Sequence, residues 1–329
     1  MKIAVVILNW NGQKLLETFL PSVVSFSNEA DIYVADNAST DDSVQYVKNH
    51  FPTVSIIQNY ENGGYAKGYN DALKHIDADV FCLLNSDVEV TKNWLQPIIY
   101  EFKNNSKTAI IQPKILDYKN KTMFEYAGAA GGFIDKYGYP YCRGRIFNTI
   151  EEDLSQYNDN MNIFWASGAC FFVRKQTFQY LQGFDESFFA HMEEIDFCWR
   201  AYNANYKTKY VGSSTVYHLG GATLQSTNPK KTYLNFRNSL STLVKNAHGN
   251  LFIIVFSRLV LDGLAAFLFL VQLKPKHILA ILRAHFNFYI ELPKLLSKRR
   301  LINQRKNYYS KSSIVWDYFI KNCKKFSCL

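Results

Sequence analysis

The sequence predicts an α/β fold, a mostly parallel sheet flanked by helices, with a helical and basic C-terminal extension. Three observations predict it. Over residues 1–112, short apolar runs rich in β-branched residues alternate with segments of helical period. A 21-residue apolar stretch begins at Leu251. The charge is segregated: residues 274–329 hold 13 Lys/Arg against only Glu291 and Asp317, which leaves the rest of this +9 chain slightly acidic.

The strand runs are IAVVIL (3–8), DIYVAD (31–36), VSIIQ (54–58), DVFCLLN (79–85) and TAIIQ (108–112). Between them lie QKLLETFLPSVVSF, DDSVQYVKNHF, YAKGYNDALKHI and KNWLQPIIYEFK, each with helical period. MKIAVVILNWNG has too short an apolar core for a signal peptide, so it reads as a buried strand. From 113 to about 160 the pattern loosens into Gly/Tyr-rich sequence, a hairpin or a lid. Regular structure returns with NIFWASGACFFVRK (162–175), then a helix around 176–182, strands at KYVG and STVYHLGG, and the helix KTYLNFRNSLSTLVKNA. The boundaries expected are a main domain at 1–248, divided into 1–112 and 113–248, and a tail at 249–329.

Six cysteines show neither a CxxC pair nor even spacing, which argues against a disulfide framework or structural zinc and suits a reducing cytosol. A basic tail fits nucleic acid or an anionic membrane surface. The preceding LFIIVFSRLVLDGLAAFLFLV favours the membrane and no nucleic acid. It is long enough to span a bilayer. Arg258 and Asp262 sit mid-span, however, where charge is costly, and at i,i+4, where they can pair. The expectation is a helix lying in the interface at the cytoplasmic face, with the polybasic end as the second attachment signal.

In parallel sheets ligands bind beyond the carboxyl ends of the strands, so the polar residues there carry the chemistry. The first strand delivers Asn9. The second delivers Asp36, placed to accept from a base N–H or a ribose hydroxyl, with Asp41 capping the next helix. ENGGYAKGYNDA offers Asn62 and Gly63 at a helix start and the cation Lys67, although NGG is also an ordinary tight turn. The fourth strand ends in Asn85, Ser86 and Asp87, hard oxygen donors suited to a divalent cation shared with substrate phosphates. Thr91 or Asn93 is the expected cap of the helix that follows. His218, after a late strand, is a further ligand candidate.

The stretch FFAHMEEIDFCWR packs Glu193, Glu194 and Asp196 among aromatics. Acids in a first turn favour the helix dipole, which would keep Glu194 ionised, and Asp196 can pair with Arg200. The same acids also suit a general base at a pocket edge.

Taken together, VVILNWNG, VADNASTDDS, NGGYAKGYNDA, LLNSDVEV, WASGACFFVR, GFDESFFAHMEEIDFCWR, VYHLGG and YLNFRN resemble, in this order, family 2 glycosyltransferases of the rhamnosyltransferase-type branch. The resemblance covers roughly residues 1–245. It implies a GT-A fold and inverting sugar transfer from a nucleotide-diphosphate donor (dTDP-rhamnose, or a UDP- or GDP-sugar) to a glycan or lipid-linked glycan, with Mg²⁺ or Mn²⁺. It implies donor contacts at Asn9, Asp36, Asn62, Gly63, Lys67, Asn85 and Ser86, metal ligands at Asp87 and His218, and an acceptor segment at Trp165, Ser167 and Gly168. Glu194 stands where the family carries an aspartate base, with Glu193 and Asp196 as alternatives. Asn85 replaces the first acid of the metal motif. The motif holding Asn235, Arg237 and Asn238 has no implied role.

Overall fold

A computed structural model of the chain describes residues 1–220 and 228–329. The expected alternation is present as β1 (Ile3–Asn9), α1 (Gln13–Phe26), β2 (Asp31–Asp36), α2 (Ser43–His50), β3 (Ser55–Gln58), α3 (Gly64–Leu73) and β4 (Val80–Asn85). A short β5 (Val88–Val90), α4 (Leu95–Asn104) and β6 (Thr108–Asp117) complete the first half. The Gly/Tyr-rich segment forms a small antiparallel sheet of β7 (Gly132–Ile134), β8 (Pro140–Cys142), β9 (Arg145–Ile146) and β10 (Thr149–Ile150). Then come β11 (Asn160–Ile163), β12 (Cys170–Arg174), α5 (Lys175–Tyr180), α6 (Glu193–Asn203) and β13 (Lys207–His218). The chain ends with α7 (Pro229–Asn246), α8 (Leu251–Val271), α9 (Pro275–Arg300) and α10 (Ile314–Phe319).

The main sheet runs β11-β13-β6-β12-β4-β1-β2-β3, with β5 on β13. β1, β2, β3 and β4 pair in parallel, while β12 inserts antiparallel between β4 and β6. Both faces are buried. Along β1, Ala4 and Val6 join one apolar cluster and Ile3, Val5 and Ile7 the other, the period-2 division of a strand covered on both sides. KYVG and STVYHLGG merge into the single strand β13, with an irregular register between Val211 and Thr215.

Several local expectations differ. α4 begins at Leu95 without a side-chain cap, and the Thr91 hydroxyl instead donates to the Thr215 carbonyl at 2.7 Å. Asp41 accepts from the N–H groups of Gln13 and Ser43, tying together the starts of α1 and α2. Cys323 and Cys328 form a disulfide, contrary to the all-thiol expectation: a terminal turn brings their Cα atoms to 5.7 Å. The other four cysteines are buried thiols.

The C-terminal region is built onto the body. α9 runs along α7, sharing a cluster of Leu240, Val244, Phe288 and Leu295. Ile314 and Tyr318 pack with Tyr141 and Ile146 of the small sheet, and the Ile314 N–H donates to Asp135 at 3.0 Å. In α8 the expected pair forms, Arg258 Nε to Asp262 Oδ1 at 2.8 Å, and it faces inward. The Tyr139 hydroxyl donates to Asp262 at 2.7 Å and Arg258 donates to Ser239 Oγ at 2.7 Å. The rest of α8 leaves Phe252, Phe256 and Phe267 exposed, and by length and composition alone α8 can cross a bilayer.

Candidate active site

Parallel pairing brings the strand ends to one edge. Asn9 lies opposite Asp36, and Leu8 opposite Asn85. The Asn9 amide donates to Asp36 Oδ1 at 3.1 Å and to Ser43 Oγ at 2.9 Å, while the Ser39 N–H donates to Asp36 Oδ2 at 3.0 Å. Asp36 is thus buried with both oxygens engaged, and it shapes the turn that a nucleotide would meet. Asn37 joins this turn to the glycine loop by donating to the Gly64 carbonyl at 3.0 Å, and Asn62 Oδ1 accepts from the Gly64 N–H at 3.0 Å. Gly64 has φ +75°, and an added Cβ would lie 2.3 Å from the Phe189 carbonyl oxygen. Only glycine lets this loop approach the segment that leads to the acids.

Tyr65 connects three of the predicted segments. Its N–H donates to the Phe189 carbonyl at 3.2 Å, and its hydroxyl donates to the Gly168 carbonyl at 3.0 Å. Its pKa is raised by burial, then by Tyr69 and by the charges of Glu193 and Glu194. The Asn85 N–H donates to the Ala169 carbonyl at 3.0 Å, closing the same ring of segments around the end of β4. Ser86 borders Gly12 beside Asn9.

Glu193 and Glu194 open α6, after His191 and Met192 with φ +69° and +75°. Each has a buried Oε2 without a hydrogen-bond partner among the described residues. Burial raises Glu194 to about 7, although the helix start supplies N–H groups that oppose the shift. Burial and the charge of Glu194 push Glu193 well above the usual carboxylate range. The dipole therefore does not keep Glu194 fully ionised as expected from the sequence; desolvation outweighs it. What results is a carboxyl that titrates near neutrality and can accept a proton.

Asp87 and His218 meet, with Asp87 Oδ1 to Nε2 at 3.2 Å, and Glu125 Oε1 lies 3.4 Å from Nδ1 on the other side of the ring. Burial would lower the His218 pKa, but Glu125 and Asp87 outweigh it and raise it to about 10. Among the described residues no group of three or more His, Cys, Asp or Glu converges as a metal cage. Carboxylate and imidazole are nonetheless suitable donors for Mg²⁺ or Mn²⁺ when substrate phosphates supply the remaining ligands. Asp87, and His218 once it gives up its proton, would suit a cation shared with a diphosphate.

Other sequence candidates have different partners. Lys67 Nζ pairs with Asp71 at 2.5 Å and lies 3.7 Å from Glu61, so its charge is spent beside its own helix. Trp165 is buried against Gly132 and donates from Nε1 to the Phe133 carbonyl at 2.8 Å, anchoring β7. Ser167 is buried; its N–H donates to Gln112 Oε1 at 2.8 Å and its hydroxyl to the Ala127 carbonyl. Asp196 is wholly buried, bonded to Arg200 at 2.9 Å, Lys245 at 2.8 Å and the Asn246 amide at 2.8 Å. It is a structural ion-pair partner and has no free oxygen for an acceptor.

Sequence reasoning did not single out Tyr65 or Glu125, and it left Asn238 without a role. The Asn238 amide donates to the carbonyls of Ala190 and His191 at 2.9 and 2.7 Å. Arg237 Nη2 reaches the Ser187 carbonyl at 3.1 Å. The YLNFRN motif thus holds the loop that presents the glutamates.

Comparison with known proteins bears on the same region. The chain is 24% identical over 208 residues to the low-salt glycan biosynthesis hexosyltransferase Agl10 of Haloferax volcanii, covering 62% of each. It is 25% identical over 233 residues to the N-acetylglucosaminyl-diphospho-decaprenol L-rhamnosyltransferase of Mycobacterium tuberculosis, covering 65% of this chain and 75% of that one. The fold is similar to GalNAc-T7 crystallised with UDP, GalNAc and Mn²⁺ (TM-score 0.58, 17% identity, 75% of this chain and 48% of that one). It is also similar to S. aureus TarS 1-349 with UDP-GlcNAc (TM-score 0.56, 15% identity, 93% of each chain). The chain therefore spans well under two thirds of GalNAc-T7 and somewhat under two thirds of Agl10. These likenesses show the GT-A fold, and the family model of glycosyl transferase family 2 matches residues 4–181, so this chain belongs to that family.

Proposed function

We propose that the chain transfers a sugar from a nucleotide-diphosphate donor to a hydroxyl of a lipid-linked glycan, with inversion, in surface polysaccharide synthesis. The observation that carries this reading is the meeting of three segments at Tyr65: the donor loop, the 168–169 turn and the loop before Glu193–Glu194. The nucleotide sits at the ends of β1 and β2, around Asn9 and Asp36. The diphosphate lies toward Asn62, Gly63, Asn85, Ser86 and Asp87. Asp87 and His218 would hold a divalent cation, which when bound would supply charge neutralisation to the departing diphosphate.

Glu194 takes the proton from the acceptor hydroxyl as its oxygen bonds to the anomeric carbon, and the bond from that carbon to the diphosphate oxygen breaks on the opposite face. A carboxyl titrating near 7 suits this task at neutral pH. Glu193, held more strongly protonated, is the alternative base. The mycobacterial relative's name supports rhamnose as the sugar and a diphospho-lipid as the acceptor class. Incubation with dTDP-, UDP- and GDP-sugars should release nucleoside diphosphate from one class of donor, and excess EDTA should suppress that release. Release from none of them would refute the reading, and full rate in EDTA would remove the metal from it.

The exposed face of α8 and the +11 region after it support attachment to an anionic membrane surface, with α8 lying in the interface. Its one charged pair is packed against Tyr139 and Ser239 of the body, which suits a helix lying flat better than one crossing the bilayer. Full-length protein should float with phosphatidylglycerol vesicles, and replacing Phe252, Phe256 and Phe267 by Ser should weaken flotation. Unchanged flotation of that variant would contradict attachment through α8.

A further inference from the structure

α7 and α9 begin side by side. Thr232, in the first turn of α7, hydrogen-bonds His277 Nδ1 in the first turn of α9 at 2.8 Å, and at the far ends Arg299 donates to the Val244 carbonyl at 2.9 Å. The helices run parallel, so the positive ends of two helix dipoles are adjacent. Along the first turns of the two helices lies a cleft of about 560 Å³ lined by Lys230 and Tyr233 of α7 and by Lys276, Leu279 and Arg283 of α9. That size is typical of a small-molecule site, roughly 300–1,000 Å³.

The buried cations Lys114, Lys245 and Arg258 each contact a carboxylate. Lys230, Lys276 and Arg283 have no carboxylate partner among the described residues, and positions 221–227 carry no acid in the sequence. Two of them face aromatic rings: Lys230 Nζ lies 5.4 Å from the Phe189 ring, and Arg283 lies 5.7 Å from the Tyr233 ring. Tyr233 is itself fixed by Asn287, which donates to its hydroxyl at 2.6 Å. Lys230 and Lys276 stand at the two helix N-termini and Arg283 two turns further along α9, so an anion seated among them would relieve their mutual repulsion.

Position and shape narrow the anion. Phe189, whose ring lies near Lys230, belongs to the loop that bonds Tyr65 and leads to Glu193–Glu194, so the cleft adjoins that loop. In a lipid–diphosphate–sugar, the diphosphate is one sugar ring away from the hydroxyl that attacks. On α9, Lys276 and Arg283 share a stripe with Leu279, Phe286 and Ile290, at 3.5-residue spacing. The last three are 65%, 67% and 64% exposed. A cationic head is thus continued by an apolar track.

We propose that this cleft is the subsite for the diphosphate of a prenyl-linked acceptor, with the apolar stripe of α9 taking the start of its chain. The inference rests on the lipid-linked acceptor proposed above. It is tested on the full-length chain with farnesyl diphosphate as probe, by calorimetry, with divalent cation present and the donor site filled by an excess of the nucleoside diphosphate that the donor panel selects. Farnesyl diphosphate should bind, farnesol much less, and Lys276→Gln/Arg283→Gln should weaken binding about tenfold or more. Both residues are exposed, so the fold should tolerate their replacement. Lys306→Gln/Lys325→Gln removes the same charge elsewhere in the tail and should leave probe binding at the wild-type level. Equal binding of farnesol, no effect at 276 and 283, or an equal loss in the control pair, as expected of general attraction to anionic headgroups, would overturn the subsite. Nucleoside-diphosphate release by the same wild-type preparation separates the two claims. Release without probe binding removes only the subsite, and no release removes the transferase reading itself.

Discussion

Glu194→Gln should lower sugar transfer by about 10²–10⁴-fold while nucleotide affinity is retained. Glutamine keeps the shape of the side chain and cannot accept the proton. Steady-state rates, with nucleoside-diphosphate binding measured in parallel, check this. The sign of the pH dependence follows from the same group. A base acts in its ionised form and Glu194 titrates at about 7, so kcat/KM should rise through that pH and level off above it. Glu193→Gln should have the smaller effect on the chemical step and leave the rise near pH 7, because Glu193 is held protonated there and burial, not a neighbouring charge, raises Glu194. Transfer by Glu194→Gln at near wild-type rate would exclude it as the base.

The second large effect concerns stability. Lys245 is 2% exposed and holds two carboxylates, Asp185 at 2.6 Å and Asp196 at 2.8 Å. Asp185 also pairs with Lys298 of α9 at 2.7 Å, so the cluster ties α9 to the segment that precedes the glutamates. Lys245→Met keeps the volume and leaves Asp196 and Asp185 short of charge in the interior. The expected loss is about 3–5 kcal/mol, read as a fall in the urea midpoint. Burial works against both aspartates, but Lys245, with Lys298 or Arg200, outweighs it and holds their folded pKa values below the ordinary range. Their contribution is therefore complete above the unfolded pKa, about 4, and is lost as pH falls through the folded values. The difference between wild type and Lys245→Met should be full at neutral pH and shrink below about pH 4. A midpoint unchanged at pH 7 would show that the cluster adds nothing.

The first half of the fold was legible because each strand there is one local apolar run bounded by a turn. The polar residues at the strand ends could be read for the same reason, since a parallel sheet sends Asn9, Asp36 and Asn85 to one edge. What escaped depends on distant partners. Asn238 meets His191 from 47 residues away, and Glu125 reaches His218 from an irregular segment with no period of its own. Trp165, Ser167 and Asp196 lie inside recognisable motifs, yet packing gives them anchoring contacts. Magnitude explains the misjudged charge state of Glu194. A helix N-terminus contributes ~0.3–1 kcal/mol, whereas a carboxyl held at about 7 rather than the ordinary 4.5 corresponds to roughly 3 kcal/mol. Burial of the segment among Phe188, Phe197 and Trp199 could be seen in the sequence; its effect on the acids needed the packing.

The most direct measurement is the anomeric configuration of the sugar transferred by the full-length chain, on vesicles, from whichever donor the nucleotide-sugar panel selects. Direct displacement assisted by Glu194 predicts one equivalent of nucleoside diphosphate per sugar transferred and a product with inverted configuration by NMR. Retained configuration, or nucleoside diphosphate released with no glycosylated product on any lipid-linked acceptor, would contradict it.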